Sequence, residues 1–217
     1  MLVHPSGVDV SSSTLRFLTQ QLRRHRRAIG SRWRRLSAGR QALLTLAPSL
    51  ADAVRTASVK AYLILDGTLL PIDRIAADRT FSSGKHKKHG VNVQVIADPF
   101  GRLPWASPAL PGAVHDLRAA REHGILDALA EAGMRYWADK DYRGAGGTVR
   151  VPCWGRWENL SAGQKAANRS HAKIRALVEP AVATLKYWRL LRKLRCSTTR
   201  ITRLVRAVLT LHLTSSN

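Results

Sequence analysis

Three carboxylates carry the chemistry open to this chain: Asp66 in Leu65-Asp66-Gly67-Thr68, Asp139 in Ala138-Asp139-Lys140, and Glu179 in Arg175-Ala176-Leu177-Val178-Glu179. They stand in a sequence of 217 residues with 36 Lys plus Arg against 14 Asp plus Glu, a formal net charge of +22. So basic a surface concentrates a polyanion, nucleic acid before membrane, and acids set within it point to metal-dependent work on that polyanion. Converging carboxylates raise one another's pKa and resist joint ionisation unless cations join them. Mg²⁺ takes one or two carboxylates and fills its other positions with water and phosphate oxygens, whereas zinc wants His or Cys clusters. Two such ions about 3.5–4 Å apart can activate an attacking oxygen and stabilise the leaving oxygen at a phosphodiester.

Each acid also has a plain structural explanation. Asp-Gly between apolar runs is a hairpin signal, and Asp139 can cap a turn. Glu179 can pair at a surface with Arg175, one helical turn away, for only about 0.3–0.5 kcal/mol. On a helical wheel, however, Asn168, Arg175 and Lys186 fall within about 40° of Glu179, while Ile174, Leu177 and Leu185 occupy another side. His86 and His89 in Gly84-Lys85-His86-Lys87-Lys88-His89-Gly90 have ligand-like spacing. The glycines and lysines around them favour a phosphate-contacting loop, in which Lys85, His86, Lys87 and Lys88 meet DNA.

The elements that must position these groups follow from periodicity. Residues 11–47 read as helical, with Ser11 to Thr14 as cap candidates and Leu15, Leu18, Leu22 and Ile29 near helical spacing. This segment carries Arg23, Arg24, Arg26, Arg27, Arg32, Arg34 and Arg35, which can run along phosphates or cover a core. A short helix through Val54 follows Pro48-Ser49. Strands are expected over 60–65, ending at Asp66-Gly67, then over 91–95, 103–109, 134–138 and 148–153, with a turn at Asp98-Pro99-Phe100-Gly101. Helices are expected over 115–129, 161–188 with Ser161 as cap, and 201–213. This order predicts an α/β fold with a mixed five-stranded sheet, divided into a helical segment 1–57 and a domain 58–217. A crossover through 115–129 would lay the strand ending at Asp139 parallel to the one ending at Asp66 and bring the two aspartates together. Cys153 and Cys196 form neither a disulfide framework nor a zinc motif, which suits a reducing cytoplasm. Neither a signal sequence nor a run of apolar residues long enough to cross a membrane is seen.

Leu65-Asp66-Gly67-Thr68, Ser83-Gly84-Lys85-His86-Lys87, Gly112-Ala113-Val114-His115-Asp116, Ala138-Asp139-Lys140-Asp141-Tyr142 and the run Asn168 to Lys186 occur in this order. They resemble the motifs of DDE-superfamily transposases of insertion-sequence family five, related to the Harbinger type, through nearly all of 58–217. Residues 1–47 resemble that family's N-terminal segment. The resemblance implies an RNase H-like catalytic fold, two Mg²⁺ or Mn²⁺ ions, double-stranded DNA as partner, and cleavage and strand transfer at the ends of an element. It also implies at least a dimer on DNA and a place on the nucleoid. Asp66, Asp139 and Glu179 would be the catalytic acids, Arg175 and Lys186 phosphate contacts or supports for Glu179. Asp116 could join the metal site, but at the start of a helix a capping role is the more natural expectation.

Three departures from the family pattern stand out. The helix-turn-helix usual before the catalytic domain is missing between Ala42 and Asp52, Asp141 adds charge beside Asp139, and Pro180 directly follows Glu179. A proline inside a helix costs about 3 kcal/mol and would displace the glutamate. The alternative expectation is therefore a DNA-binding remnant without catalysis. A simple RNA-binding basic protein is a third, for which the ordered acids would have no use.

Overall fold

A computed structural model describes residues 48–73, 79–192 and 194–215, together with 2–3, 9–10, 16–17, 19–21, 23–24 and 27. Leu2–Val3 (β1) and Asp9–Val10 (β2) pair antiparallel, and the described residues among 16–27 are helical. Helix α1, Leu50–Ala57, begins at a capping box in which the Ser49 side chain accepts from the Asp52 N–H and Asp52 returns a bond to the Ser49 backbone.

The domain is a seven-stranded mixed sheet covered by helices on both faces, consistent with an RNase H-like fold. The strands are β3 (Leu63–Pro71), β4 (Ser82–Ser83), β5 (Lys88–Ala97), β6 (Trp105–Ala106), β7 (Leu110–Pro111), β8 (Tyr136–Ala138) and β9 (Val149–Arg150). Their order is β4-β5-β3-β8-β9, with β6 and β7 also paired to β5. The five expected strands are all present. The count rises because the expected strand 103–109 supplies β6 and the start of a region broken at Ser107-Pro108-Ala109 before β7, and because β4 forms the return leg of a hairpin with β5. Pro108 has no N–H to give a ladder, and the Ser107 hydroxyl accepts instead from the Gln94 N–H at 2.9 Å.

Strand β3 does not end at Asp66. It runs through Asp66-Gly67, pairing Asp66 with Val95 and Gly67 with Gln94, so the Asp-Gly pair is mid-strand and makes no turn. On its other side β3 pairs in parallel with β8, Leu65 opposite Ala138. Asp66 and Asp139 are thus the next residues along two parallel neighbours.

Alternation along β3 sends Leu63 and Leu65 to one face and Ile64 to the other. The first face packs against α1 and against α2 (Asp116–Glu122) and α3 (Ile125–Glu131), through Ala53, Val54, Ile125 and Leu129. The second packs against α5 (Val178–Tyr187) and α6 (Thr198–Ser215), through Val178, Val182, Ile201 and Val205. The expected helix over 115–129 is broken at Gly124, which adopts φ 64. The expected helix over 161–188 is divided into α4 (Ala162–Arg175), capped by a Ser161–Gln164 box, and α5. Because the division falls at Ala176-Leu177, Pro180 lies in the first turn of α5, where an absent N–H breaks no intrahelical bond. The expected displacement of Glu179 by an interior proline is therefore not what the fold shows.

Candidate active site

The acids are gathered by strand geometry. Asp66 shares the face of Ile64, and on that side the Arg175 guanidinium at the end of α4 donates to its Oδ1 at 3.0 Å. The same guanidinium lies 3.7 Å from Asp139 Oδ2. Asp139 caps the 3-10 turn Lys140–Tyr142 that follows β8. Glu179 lines the same open cleft, of about 340 Å³, together with Asp66, Asp139, Arg175, Lys85, His86 and Lys186. Asn168, expected on that stripe, is elsewhere: its amide clasps the Cys153 backbone, accepting from the N–H at 2.8 Å and donating to the carbonyl at 3.2 Å.

The opposite face of β3 supplies a fourth acid. Asp116 is the first residue of α2, but His115 holds the cap position and makes no side-chain capping bond. The expected capping role for Asp116 is thus not the one it has. Its carboxylate is buried against Gly67, so closely that a Cβ built there would stand 2.1 Å from Oδ1. Asp66-Gly67 is read correctly as this approach: glycine leaves the space that a second carboxylate occupies.

Beneath Asp116 runs a buried polar network that the sequence does not announce. Asn92 and Gln94 of β5 donate to Asp116 Oδ1 at 2.7 and 3.2 Å, Gln94 donates to Asn92 Oδ1 at 2.8 Å, and the Tyr142 hydroxyl donates to Gln94 Oε1. Tyr142 closes the turn that Asp139 opens, so this chain of bonds ties the ends of β8 and α2 to the middle of β5. Burial, then the negative charges of Asp116 and Asp66, hold the Tyr142 hydroxyl well above its ordinary pKa. The shift favours the protonated hydroxyl, the form that donates to Gln94.

Lys85 lies at the tip of the β4–β5 hairpin, whose loop Gly84 to Lys87 closes with Lys87 at φ 53. Its ammonium reaches three carboxylates: Asp141 at 2.5 Å, Asp116 at 3.5 Å and Asp139 at 3.5 Å. Burial alone would lower its pKa, but these acids outweigh it and raise the value well above that of a free lysine. Asp141 responds in kind: its own burial works upward, and Lys85 prevails to bring the carboxyl below the usual range. Asp66 goes the other way, raised mainly by burial and further by Asp116 and Asp139, with Arg175 opposing. Lys186 is lowered by burial, partly offset by Asp66.

His86, Lys87 and Lys88 are exposed on the hairpin, as are Arg23, Arg24 and Arg27 in the N-terminal segment. Arg26, Arg32, Arg34 and Arg35 lie outside the described residues. Cys153 and Cys196 are free thiols. Among the described residues no helix is long and apolar enough to cross a membrane.

Carboxylate oxygens are the donors a hard divalent cation takes, and a raised Asp66 between Asp116 and Asp139 is a place where added positive charge lowers the energy. Yet among the described residues no group of three or more His, Cys, Asp or Glu is spaced to hold a metal ion. Lys85 and Arg175 stand between the carboxylates and provide the countercharge. The Arg175 Nε is buried without a hydrogen-bond partner, an omission that costs about 1–3 kcal/mol, so this arrangement of the guanidinium is not its best bonded one. The residues fit a divalent cation in donor type and charge, once those two side chains yield.

Comparison with known proteins identifies the family. The family described as DDE superfamily endonuclease matches residues 65–212. A protein of Streptomyces albus G that carries the name of a transposase for insertion sequence element IS112 is 32% identical over 162 residues. The alignment takes in 69% of this chain and 57% of that relative, so the chain spans a little over half the relative's length. No solved structure matches. The family match spans Asp66, Asp116, Asp139 and Glu179, and the chain belongs to the DDE superfamily of endonucleases.

Proposed function

We propose that this chain is an insertion-sequence transposase of the family-five, Harbinger-related type, which cleaves DNA strands and transfers them at the ends of an element. Endonucleases of this superfamily are generally dependent on divalent metal. The observation that supports the reading best is the register: β3 and β8 are parallel neighbours, Leu65 lies opposite Ala138, and Asp66 and Asp139 follow them into one cleft with Glu179. In this reading Asp66, Asp139 and Glu179 hold two Mg²⁺ or Mn²⁺ ions, with Asp116 as a further donor. Bound there, the ions supply the positive charge that offsets charge build-up on the phosphodiester oxygens. Arg175 releases Asp66 to pair with a phosphate, Lys186 flanks it, and the Asp116–Gln94–Tyr142 network keeps the two strand ends in register. Bringing two element ends together requires at least a dimer.

A second reading is a DNA-binding remnant that has lost the helix-turn-helix and in which Lys85 and Arg175 neutralise the acids permanently. The contacts at 2.5 to 3.7 Å between those cations and four of the aspartates favour it. One assay decides between the two: nicking of supercoiled DNA with Mn²⁺, native chain against Asp66→Ala. Catalysis at this site predicts nicking that the substitution abolishes. Equal signals from both chains would remove it.

A further inference from the structure

Between Asp141 and Glu179 the sequence holds seven basic residues and one acid, Glu158. Two tryptophans lie in this stretch with their rings in solvent, Trp154 at 73% exposure and Trp157 at 47%. Each has cations beside it: the Arg143 guanidinium lies 3.6 Å from the Trp154 ring centroid, and Arg169 and Lys165 lie 5.6 and 5.9 Å from that of Trp157.

The backbone that presents these rings is fixed in place. Asn168 of α4 clasps Cys153 on both its N–H and its carbonyl, and His171 of α4 bonds the Arg150 carbonyl at 3.1 Å while packing edge-on against Trp137 of β8. Gly155, between the two tryptophans, adopts φ 143, a conformation that side chains rarely allow. The chain then folds back so that Leu160 is buried. Arg143 directly follows the Asp139–Tyr142 turn, so the Trp154 ring is stacked on a residue four positions from an acid of the cleft.

The part of an indole left in solvent brings no burial energy to the fold, and an open ring face suits another flat ring. In a duplex the base faces are already stacked on one another, so only unpaired bases can use these surfaces. We propose that Trp154 and Trp157, with Arg143, Lys165 and Arg169, form a platform on which unpaired bases of the DNA strand next to the cleft stack, their phosphates neutralised by the flanking cations. This rests on the reading of the cleft as a DNA-processing site and adds to it a preference for strand segments opened from the duplex.

The test is fluorescence anisotropy of the full chain with labelled oligodeoxythymidine and, separately, with a fully paired duplex, at one fixed salt concentration. Trp154→Ala and Trp157→Ala should each weaken binding of the single strand on the order of ten-fold, and leave duplex binding and its salt dependence unchanged. Trp154→Phe should recover most of the single-strand affinity, because a ring is restored without any change in charge. Circular dichroism identifies any variant that fails to fold, and if an alanine variant does, Trp154→Leu and Trp157→Leu, which keep apolar volume without an aromatic face, carry the test with the same expected loss. Unchanged single-strand affinity in the folded alanine variants, or equal losses on both probes, overturns the platform while the DNA reading stands. If the native chain binds neither probe, both fall.

Discussion

Gly67 shows how one residue type can be demanded by a partner 49 positions away. Its backbone is ordinary strand, and the reason for glycine is Asp116, whose carboxylate fills the place of the missing side chain. Gly67→Ala should lower stability to denaturant by about 1–3 kcal/mol, the usual cost of forcing atoms into an occupied space. The sign should reverse in an Asp116→Ala background, since alanine in a strand is otherwise favoured over glycine by roughly 0.5–1 kcal/mol. A urea double-mutant cycle measures this. Equal costs in both backgrounds would mean that the two residues do not meet. The same pair explains why the sequence left Asp66 ambiguous: Asp-Gly carries a turn signal, and the contact that makes it a strand pair is made only when α2 is laid across β3.

At the scale of elements, periodicity was a sound guide to what exists and a poor one to where it stops. The strands around Asp66, Val93 and Asp139, the helix after Ser161 and the last helix, expected over 201–213, all follow from apolar spacing, with a cap at Ser161, and their order already placed Asp139 beside Asp66. The alternation over Val91 to Val95 looks like a half-solvated strand, yet Asn92 and Gln94 are buried. Both faces of β5 are covered, and the polar face is turned to a carboxylate rather than to water, which no local pattern can reveal. Lys85, too, reads as a phosphate contact until the hairpin folds its tip onto three acids. The division between α4 and α5 was likewise hidden, and it changes what Pro180 does. Pro180→Ala should alter stability by less than about 0.5 kcal/mol, against the ~3 kcal/mol expected for a proline in a helix interior. Thermal unfolding of the variant is the check, and a large gain in stability would show that the helix is strained there.

For the whole molecule the decisive quantity is not the net charge of +22 but how much of it is free to meet phosphate. Nine of the 36 basic residues, and only one acid, lie within residues 1–47, which therefore hold eight of the 22 net charges. Arg23, Arg24 and Arg27 of that segment are exposed, whereas Lys85 and Arg175 are already engaged with aspartates. Association with duplex DNA releases about 0.9 counterions for each phosphate neutralised, and the dependence of affinity on salt counts those contacts. Replacing Arg23, Arg24 and Arg27 together by Gln should reduce the steepness of log affinity against log salt by up to about 2.7. Lys85→Gln should leave that slope where it is, even if affinity itself falls, because the charge it removes was balancing Asp116, Asp139 and Asp141 and had no counterion to displace. Titrations of one duplex at several salt concentrations separate the two kinds of cation. A slope that drops with Lys85→Gln as much as with one of the N-terminal arginines would mean that the hairpin leaves its acids when DNA arrives, and that the ammonium now closing the cleft is a phosphate contact in waiting.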